Sequence, residues 1–315
     1  MLFRSRTYTG DIGLVGRMPG HYALYVGGDF EGTRLSFRLL DRVADAKLLP
    51  SFEPLIAAWA RDHARPTVAL LHGLSLADFP AEPAVLSATF THLYTESEHH
   101  RAALIAKGYD PANLIVTGAP RFDPDWVGLL DRVLAERGLT RGRRPGVTTV
   151  VFFATKLVYD FDFERVVDWL DLVAGLPGVR LIVQPHPRGQ GKSRFRRLTR
   201  HASCVIDMET PAAILMRDAD VVSTLVSSVV CEAIVMGRPL LYPRFLNTLS
   251  TRFDEEGACI VAGSMEETAQ ALAACVETGV PAEAYARFLA HHVTGGHASP
   301  IAVTIDDMRA LIADA

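Results

Sequence analysis

Short apolar runs alternate with segments of helical spacing along most of this chain, a pattern typical of parallel strands covered by helices. In the first part of the chain, apolar runs predict strands over 67–71, 90–94 and 113–117. In the second part, further strands are predicted over 148–154, 180–184, 204–207, 219–223, 239–242 and 258–262. The pattern therefore predicts an α/β fold with two doubly wound, Rossmann-like domains facing a cleft.

Polar residues at the starts of helical segments predict where several helices begin. Thr95 and Ser264 are each followed three residues later by a glutamate, which is capping-box spacing. Thr210 precedes a proline suited to the first turn of another helix. Residues 299–315 have the apolar spacing of a final amphipathic helix.

A linker is predicted where the sequence reads TRGRRPG, from 140 to 146, because this stretch is polar, basic and rich in Gly and Pro. We therefore expect an acceptor-side domain over 1–140 and a donor-binding domain over 147–298. The final helix, 299–315, is a separate element, and its return to the first domain is left open. Since ligands of such sheets bind at the carboxyl ends of strands, the site is expected between the two domains.

Composition narrows the class of protein. The 315 residues are 49% hydrophobic and 22% charged, as in an ordinary globular protein, and the formal net charge of -4 gives no general attraction to nucleic acid. Four scattered cysteines without a C-x-x-C pair are typical of a reducing cytoplasm, where they act as small core hydrophobes. Without a long apolar run, a cytoplasmic protein is expected. The basic segment 192–201 leaves a peripheral contact with acidic lipid open.

The first candidate for chemistry is His72, which with Gly73 directly follows the strand predicted over 67–71. A histidine at a strand end, beside a glycine that lets a ligand approach, is suited to act as a general base. The alternative is a histidine that caps a turn.

The second candidate is the loop GAPRFD, from 118 to 123, in which Gly118 permits an unusual backbone angle. Arg121 either binds an anion or pairs with Asp123. A purely structural loop is the alternative.

The third candidate is His186, which stands between two prolines at the end of the strand over 180–184. The prolines fix the backbone on both sides, so little entropy is lost when the ring binds a phosphate. A core histidine in a tight turn is the alternative.

The fourth candidate is Ser227 with Ser228, which follow a predicted strand and open a helix predicted to end at Gly237. Hydroxyls and N–H groups there suit a diphosphate. Glu232, one turn further, would accept hydrogen bonds from ribose hydroxyls, since an unpaired charge in VVCEAIVM is costly to bury. Serine caps and a solvated glutamate are the alternative.

No metal or other cofactor is predicted. The sequence DFD, 160–162, stands where helix-capping acids are expected, and the two histidine pairs, at 99–100 and 291–292, are adjacent in sequence. Adjacent side chains on a helix do not point to one metal ion.

In this order, the motifs resemble those of the two-domain GT-B family of bacterial surface-polymer enzymes, of the CDP-glycerol glycerophosphotransferase and capsule polysaccharide biosynthesis type. The motifs are an HG element, a G-x-P-R-x-D loop, an HP element, a strand with paired serines, and G-x-P. The tail over 295–305 is similar to the family's G-x-A-S segment. The family's aspartate two positions before the serines is absent here, and the run from Glu232 to Pro239 is closer to that of nucleotide-sugar users such as UDP-GlcNAc 2-epimerases.

The resemblance implies a role for each matched residue. His72 would activate an acceptor hydroxyl, and His186 with the serines would hold the phosphates of the donor. The donor-binding residues are then Gly118, Arg121, Pro187, Arg188, Ser227, Ser228 and Glu232.

The sequence thus predicts a metal-independent transferase with a CDP- or UDP-linked donor and a glycan or polyol-phosphate acceptor, and no nucleic acid partner. One alternative is a non-hydrolysing UDP-GlcNAc 2-epimerase, with His72, His186, Asp123 and Glu96 as candidate acids and bases. Another is a non-catalytic nucleotide-binding subunit of a surface-polymer assembly complex.

Overall fold

The computed structural model describes residues 66–71, 74, 76–77, 91–140, 142, 144–155, 161–186 and 192–313, and the backbone of two strands near the N-terminus. Contacts divide the chain into two units. The first unit takes in Met1–Leu74, Ala81–Pro120 and His291–Ala315. The second takes in Ser75–Pro80 and Arg121–Ala290.

The sheet of the first unit is mixed. Its strands are β1 (Ile12–Arg17), β2 (Tyr22–Gly27), β3 (Thr67–Leu71), β4 (His92–Thr95) and β5 (Leu114–Val116), which lie side by side in that order. The last three strands run parallel, as predicted, whereas β1 and β2 pair antiparallel with each other and β2 pairs antiparallel with β3. No strand was predicted before residue 66, so the antiparallel edge is a feature that only the structure shows.

The sheet of the second unit is parallel and doubly wound. Its strands are β6 (Thr148–Phe153), β7 (Val179–Gln184), β8 (Cys204–Ile206), β9 (Val221–Ser223), β10 (Leu240–Pro243) and β11 (Ile260–Ala262). Their order in space is β11-β10-β9-β6-β7-β8. From β6 the chain adds β7 and β8 on one side. It then returns to place β9 on the other side of β6 and adds β10 and β11 beyond it, as the sequence pattern predicts.

Helices cover these sheets. In the first unit they are α1 (Glu98–Ala106) and α9 (Pro300–Ala313). In the second they are α2 (Pro124–Glu136), α3 (Phe163–Gly175), α4 (Ala212–Asp218), α5 (Val229–Val235), α6 (Arg252–Glu255) and α7 (Thr268–Glu277). Helix α8 (Ala282–His292) ends within the first unit. In the described part of the chain, no helix combines the length and apolar character needed to cross a bilayer.

The core of the second unit forms between α3 and the sheet. Trp169 is fully buried, packs edge-on against Phe152 with 5.7 Å between ring centroids, and donates its indole N–H to Thr268 Oγ1 at 3.1 Å. Asp162 caps α3 by accepting a hydrogen bond from the Arg165 N–H, so the described acid of the DFD sequence is a helix cap, as expected.

The contact boundary between the units differs from the linker predicted over 140–146. Helix α2, expected in the first domain, lies in the second unit, where Asp131 pairs with Arg217 at 3.2 Å. Thr140 donates its hydroxyl to Asp218 at 2.7 Å, and Arg180 donates to the Gly142 carbonyl at 3.2 Å. Composition identifies a polar loop, but these hydrogen bonds attach it to the second unit.

The structure corrects two of the predicted helix caps. Thr95 is not the cap of α1, because it is the last residue of β4 and its hydroxyl donates to the Ile115 carbonyl, whereas Ser97 accepts the His100 N–H. Thr210 is not a cap either, since α4 begins after Pro211 without a side-chain cap. One bond of the capping box predicted at Ser264 is present, because its hydroxyl accepts the Glu267 N–H at 3.3 Å. The Glu267 carboxylate, however, accepts the Gly263 N–H, and α7 begins only at Thr268.

Two of the four cysteines are small core hydrophobes, as predicted, and Cys204 and Cys259 are half-buried. All four are free thiols, and Cys231 and Cys275 are buried. Burial raises the pKa of the Cys275 thiol to about 12 and is the main reason that the pKa of Cys204 rises to about 11. Both thiols are therefore protonated at neutral pH and are poor nucleophiles.

The basic segment 192–201 is largely tied to the protein surface. Most of it is the 3-10 helix Lys192–Arg200, which buries Phe195 and Leu198. Arg197 pairs with Asp168, and Asp171 pairs with both Arg200 and His201. Two of the arginines in this segment, Arg197 and Arg200, therefore already have carboxylate partners, which reduces the charge left for acidic lipid.

Candidate functional site

The second sheet has one position at which the order of its strands reverses. Strands β6 and β9 lie side by side there, and the chain leaves them in opposite directions across the sheet. In doubly wound folds, ligands bind outside the carboxyl ends of the strands at this switch point. The segments that directly follow β6 and β9 lie at this switch point.

Two hydrogen bonds fasten the loop after β9 to the end of β6. Thr224 donates its hydroxyl to the Phe153 carbonyl at 2.8 Å. The Val226 N–H donates to Thr155 Oγ1 at 3.2 Å, and both bonds are buried. The loop that leads to Ser227 is thus held in place before any ligand binds, which lowers the entropy cost of binding.

Ser227 and Ser228 lie at the end of this fastened loop. Both are half-buried, and Ser228 precedes α5 without making a side-chain capping bond. Ser227 Oγ accepts the Val229 N–H at the long distance of 3.4 Å. Helix α5 has only seven residues, so the two hydroxyls and the fastened loop, rather than a long helix dipole, are what this position offers an anion.

Glu232 lies on α5, among buried apolar residues. Burial raises the pKa of this carboxyl, while the positive charge of Arg121 lowers it and only partly offsets the effect. Arg121 is itself exposed, with its guanidinium carbon 5.3 Å from the centroid of the Phe122 ring. The structure therefore brings these two predicted donor-binding residues within electrostatic reach of each other.

His186 lies at the carboxyl edge of the same sheet, just beyond β7, which is the neighbour of β6. Its side chain is half-buried and Pro185 is buried. Gln184 Nε2 donates to the Thr210 carbonyl at 2.7 Å, so the end of β7 is tied to the loop after β8. His186 thus follows a fixed strand end, as the sequence predicts.

Gly118 belongs to the first unit, whereas the described residues with which it was grouped belong to the second. Its φ is +77°, and a Cβ at this position would lie 2.5 Å from the Thr294 carbonyl oxygen and 2.8 Å from Pro300 Cγ. The glycine is therefore required for the close approach of residues 294–300. Its donor-binding role stays a prediction.

Several predicted residues fall outside the described part of the chain: His72, Gly73, Pro187 and Arg188. The role of His72 as a base, and those of Pro187 and Arg188 in donor binding, stay predictions. His72 directly follows β3 in the sequence.

Other residues at strand ends were missed by the sequence analysis. Thr155 and Thr224 hold the loop that leads to Ser227 in place. They are 69 positions apart, and no local pattern links them. His100 was also missed as the partner of Glu96, which the sequence offers only as a candidate acid: Glu96 Oε2 and His100 Nδ1 are 2.7 Å apart in the first unit. Their spacing of four residues at a helix start is a signal that could have indicated this pair.

Comparison with solved structures shows the fold. UDP-GlcNAc 2-epimerase from Neisseria meningitidis, solved with UDP-GlcNAc bound, superimposes with a TM-score of 0.56 at 13% identity, over 81% of this chain and 72% of that one. A UDP-N-acetylglucosamine 2-epimerase from Listeria monocytogenes gives 0.49 at 13% identity, over 73% and 62%. The wall teichoic acid polymerase TagF gives 0.48 at 15% identity, over 78% and 68%. The fold class is α/β with two Rossmann-like units, as in GT-B proteins.

Sequence comparison gives short matches. No family model matches this chain. A stretch of 58 residues, 18% of the chain, is 47% identical to the sulfite reductase [NADPH] hemoprotein beta-component of Bordetella petrii. The same protein from Shouchella clausii is 40% identical over 58 residues. The match spans a tenth of the length of these relatives, 10% in each case, and transfers no activity to this chain.

Proposed function

We propose that this chain is a GT-B-type transferase that uses a nucleotide-activated donor, a CDP-polyol or a nucleotide sugar, to build or modify a bacterial surface polysaccharide or teichoic-acid-like polymer. One observation carries the proposal: a loop with two serines is fastened at the switch point of a doubly wound sheet. A half-buried glutamate follows on the next helix. Hydroxyls and then a carboxylate, in that order, suit the phosphates and the ribose of a nucleotide.

The donor binds to the second unit in this proposal. Ser227, Ser228 and His186 donate hydrogen bonds to its phosphates, where negative charge grows as the nucleotide departs. Glu232 accepts hydrogen bonds from the ribose hydroxyls, and Arg121 helps to keep that carboxylate ionised. This assignment needs no protein-bound metal.

The acceptor loses one proton in the reaction. Its hydroxyl oxygen forms a bond to the transferred group, the bond from that group to a phosphate oxygen of the nucleotide breaks, and the nucleotide leaves with the electron pair. A histidine of the first unit takes the hydroxyl proton and later releases it to water. The sequence predicts His72 for this step.

The second candidate function is a non-hydrolysing UDP-GlcNAc 2-epimerase. The fold shared with the enzyme from Neisseria meningitidis favours it. Asp123, a candidate acid for the sugar ring, argues against the epimerase function. It is fully buried, and it caps α2 by accepting hydrogen bonds from the N–H groups of Asp125 and Trp126. Conversion of UDP-GlcNAc in the absence of an acceptor would favour the epimerase.

A thermal-shift panel with CDP, UDP, GDP, CMP and ADP tests the donor site. A nucleotide at about 100 times its Kd should stabilise the wild type by roughly 2.7 kcal/mol. Ser228→Ala and His186→Ala should weaken this effect. Ser203→Ala is the matched control, because Ser203 is also half-buried but precedes β8 at the opposite edge of the same sheet and donates to the Ala174 carbonyl.

The panel also has an outcome that rejects the proposal. If no nucleotide raises the melting temperature at millimolar concentration, the nucleotide-dependent transferase is excluded. If the control serine variant loses the effect as fully as Ser228→Ala, the site is not at the switch point.

A further inference from the structure

Glu96 and His100 form a pair that the proposed function leaves unused. Glu96 directly follows β4, and its side chain is only 4% exposed. His100 lies in the first turn of α1 with 17% of its side chain exposed, and its Nδ1 is 2.7 Å from Glu96 Oε2. The pair thus joins a buried carboxylate to an imidazole that is partly open to solvent.

The carboxylate determines how the imidazole is protonated. An ionised carboxylate can only accept hydrogen bonds, so an ionised Glu96 requires His100 Nδ1 to be the donor. In the neutral ring the lone pair then resides on Nε2, which is free to take a proton from a ligand. A base whose second nitrogen is oriented by an acid is the arrangement that acid–base catalysis uses.

Both residues of the pair are firmly held. A Cβ on Gly295 would lie 3.2 Å from the Glu96 carbonyl oxygen, so the backbone at Glu96 is tightly packed. The His100 N–H donates to Ser97 Oγ at 3.1 Å. Such fixed geometry is what a catalytic group requires, since a base must be placed before the substrate arrives.

The neighbouring histidine has different surroundings. The ring of His99 packs edge-on against that of His292 at the end of α8, with 5.8 Å between centroids. His297 Nε2 is 3.0 Å from the Val116 carbonyl oxygen, and Glu98 pairs with Arg101. Among these nearby titratable groups, His100 is the imidazole oriented by a buried carboxylate.

The pair lies at the edge of the first sheet where a ligand is expected. Strands β3, β4 and β5 run parallel, so the residues that follow them leave the sheet on the same side. Glu96 follows the middle strand of these three. Ligands of α/β sheets bind at this carboxyl edge.

We propose that His100, positioned by Glu96, is the catalytic base that takes the proton of the acceptor hydroxyl; this inference rests on the proposed function. Nε2 of His100 receives the proton as the hydroxyl oxygen bonds to the transferred group. The nucleotide leaves with the electrons of the broken bond, and the imidazolium then releases its proton to water. His100 thus takes the step for which the sequence predicts His72.

The test measures release of CMP from CDP-glycerol and of UDP from UDP-GlcNAc, with glycerol phosphate and N-acetylglucosamine offered as acceptors. His100→Ala should lower kcat by about 10²- to 10⁴-fold and leave the KM for the donor almost unchanged. Added imidazole should restore part of the lost kcat, which a merely structural role of His100 would not produce. Nucleotide-induced thermal shifts should persist, because the donor binds to the second unit.

Further variants separate catalysis from folding. His100→Gln keeps a polar partner for Glu96 and should be as inactive as His100→Ala. It replaces the alanine variant in the activity test if that variant does not fold. Glu96→Gln should lower kcat, and Glu96→Asp should retain more of it. His99→Gln, on the adjacent position of α1, is the matched control and should turn over the donor like the wild type.

The outcomes distinguish the two proposals. If the wild type neither binds a nucleotide nor turns over either donor, both the proposed function and this inference fail. If the wild type is active and both His100 variants match it, only this inference is overturned. It is equally overturned if His72→Ala abolishes turnover while imidazole leaves His100→Ala unaffected.

Discussion

Glu232 combines a cost in stability with a proposed gain in binding. It lies on α5 beside the buried residues Cys231 and Ala233, and burial raises the pKa of its carboxyl despite the charge of Arg121. A charge that is costly to bury and that has no structural necessity is frequent at binding sites. Removal of the charge of Glu232 should therefore raise the free energy of unfolding and weaken nucleotide binding.

The variant Glu232→Gln should be more stable than the wild type at neutral pH. Because the pKa is raised by folding, ionisation costs more in the folded state, and the free energy of unfolding of the wild type falls as the pH rises through the ordinary glutamate range, near about 4.3, toward the raised pKa. Below that range the two proteins should be equally stable. Denaturant melts from pH 3 to 8 measure the difference.

The same substitution should weaken nucleotide binding. Loss of hydrogen bonds from ribose hydroxyls to a charged acceptor costs about 1.5 to 3 kcal/mol, which raises the Kd about 10- to 150-fold. Glu277→Gln, an exposed glutamate at the end of α7, should change neither property. A Glu232→Gln variant that binds like the wild type would remove this residue from the donor site.

At the scale of elements, one carboxylate of α9 binds two residues of the first sheet. Asp307 Oδ2 accepts a hydrogen bond from Tyr94 OH at 2.6 Å and lies 2.7 Å from His92 Nδ1. Tyr94 is almost completely buried, and its burial, together with its bond to Asp307, raises the pKa of the phenol. Two strand residues thus converge on one oxygen of the helix.

The variant Asp307→Ala should lower the free energy of unfolding by about 1 to 3 kcal/mol, since a buried hydroxyl loses its acceptor. Amide exchange over Pro300–Ala313 should become faster. Asp306→Ala is the matched control: Asp306 is the preceding residue of the same helix, is 73% exposed and pairs with Arg309 only at 3.4 Å. Equal effects of the two variants would show that helix propensity, rather than the buried bonds, holds α9.

At the scale of the whole molecule, the two units have separate sheets and separate proposed tasks. The chain enters the second unit at Ser75 and again at Arg121, and it returns to the first unit at His291. Donor groups are assigned to the second unit and the proton-accepting histidine to the first. This assignment predicts which segments a bound nucleotide protects from amide exchange.

A bound nucleotide should slow amide exchange only at the carboxyl edge of the second sheet. The protected segments should be 154–155, 184–186 and 224–232, because these follow β6, β7 and β9. Residues 176–178, which precede β7 at the opposite edge, and helix α1 of the first unit should exchange as before. Hydrogen-exchange mass spectrometry with UDP or CDP measures this, and protection confined to the first unit would contradict the assignment.

The sequence by itself determined the parallel strands and the residues at their ends. Apolar runs are local, and a strand that is buried on both faces must consist of such a run, so β3 to β11 were predicted to within a few residues. The position of His186 after β7, and of Ser227 and Ser228 after β9, follows from where those runs stop. The apolar neighbours of Glu232 in the sequence indicated that its charge would be costly to bury, and the residue is half-buried.

Only the tertiary structure decided which residues from distant parts of the sequence contact one another. Thr95 and Ser97 are both capping residues by type, and only the pairing of β4 with β5 directs the Thr95 hydroxyl to Ile115 and leaves the cap to Ser97. The necessity of Gly118 depends on a carbonyl 176 positions away, at Thr294. A local pattern records which face of an element is apolar, whereas contacts between distant segments depend on how complete elements pack, and no window of neighbouring residues contains that information.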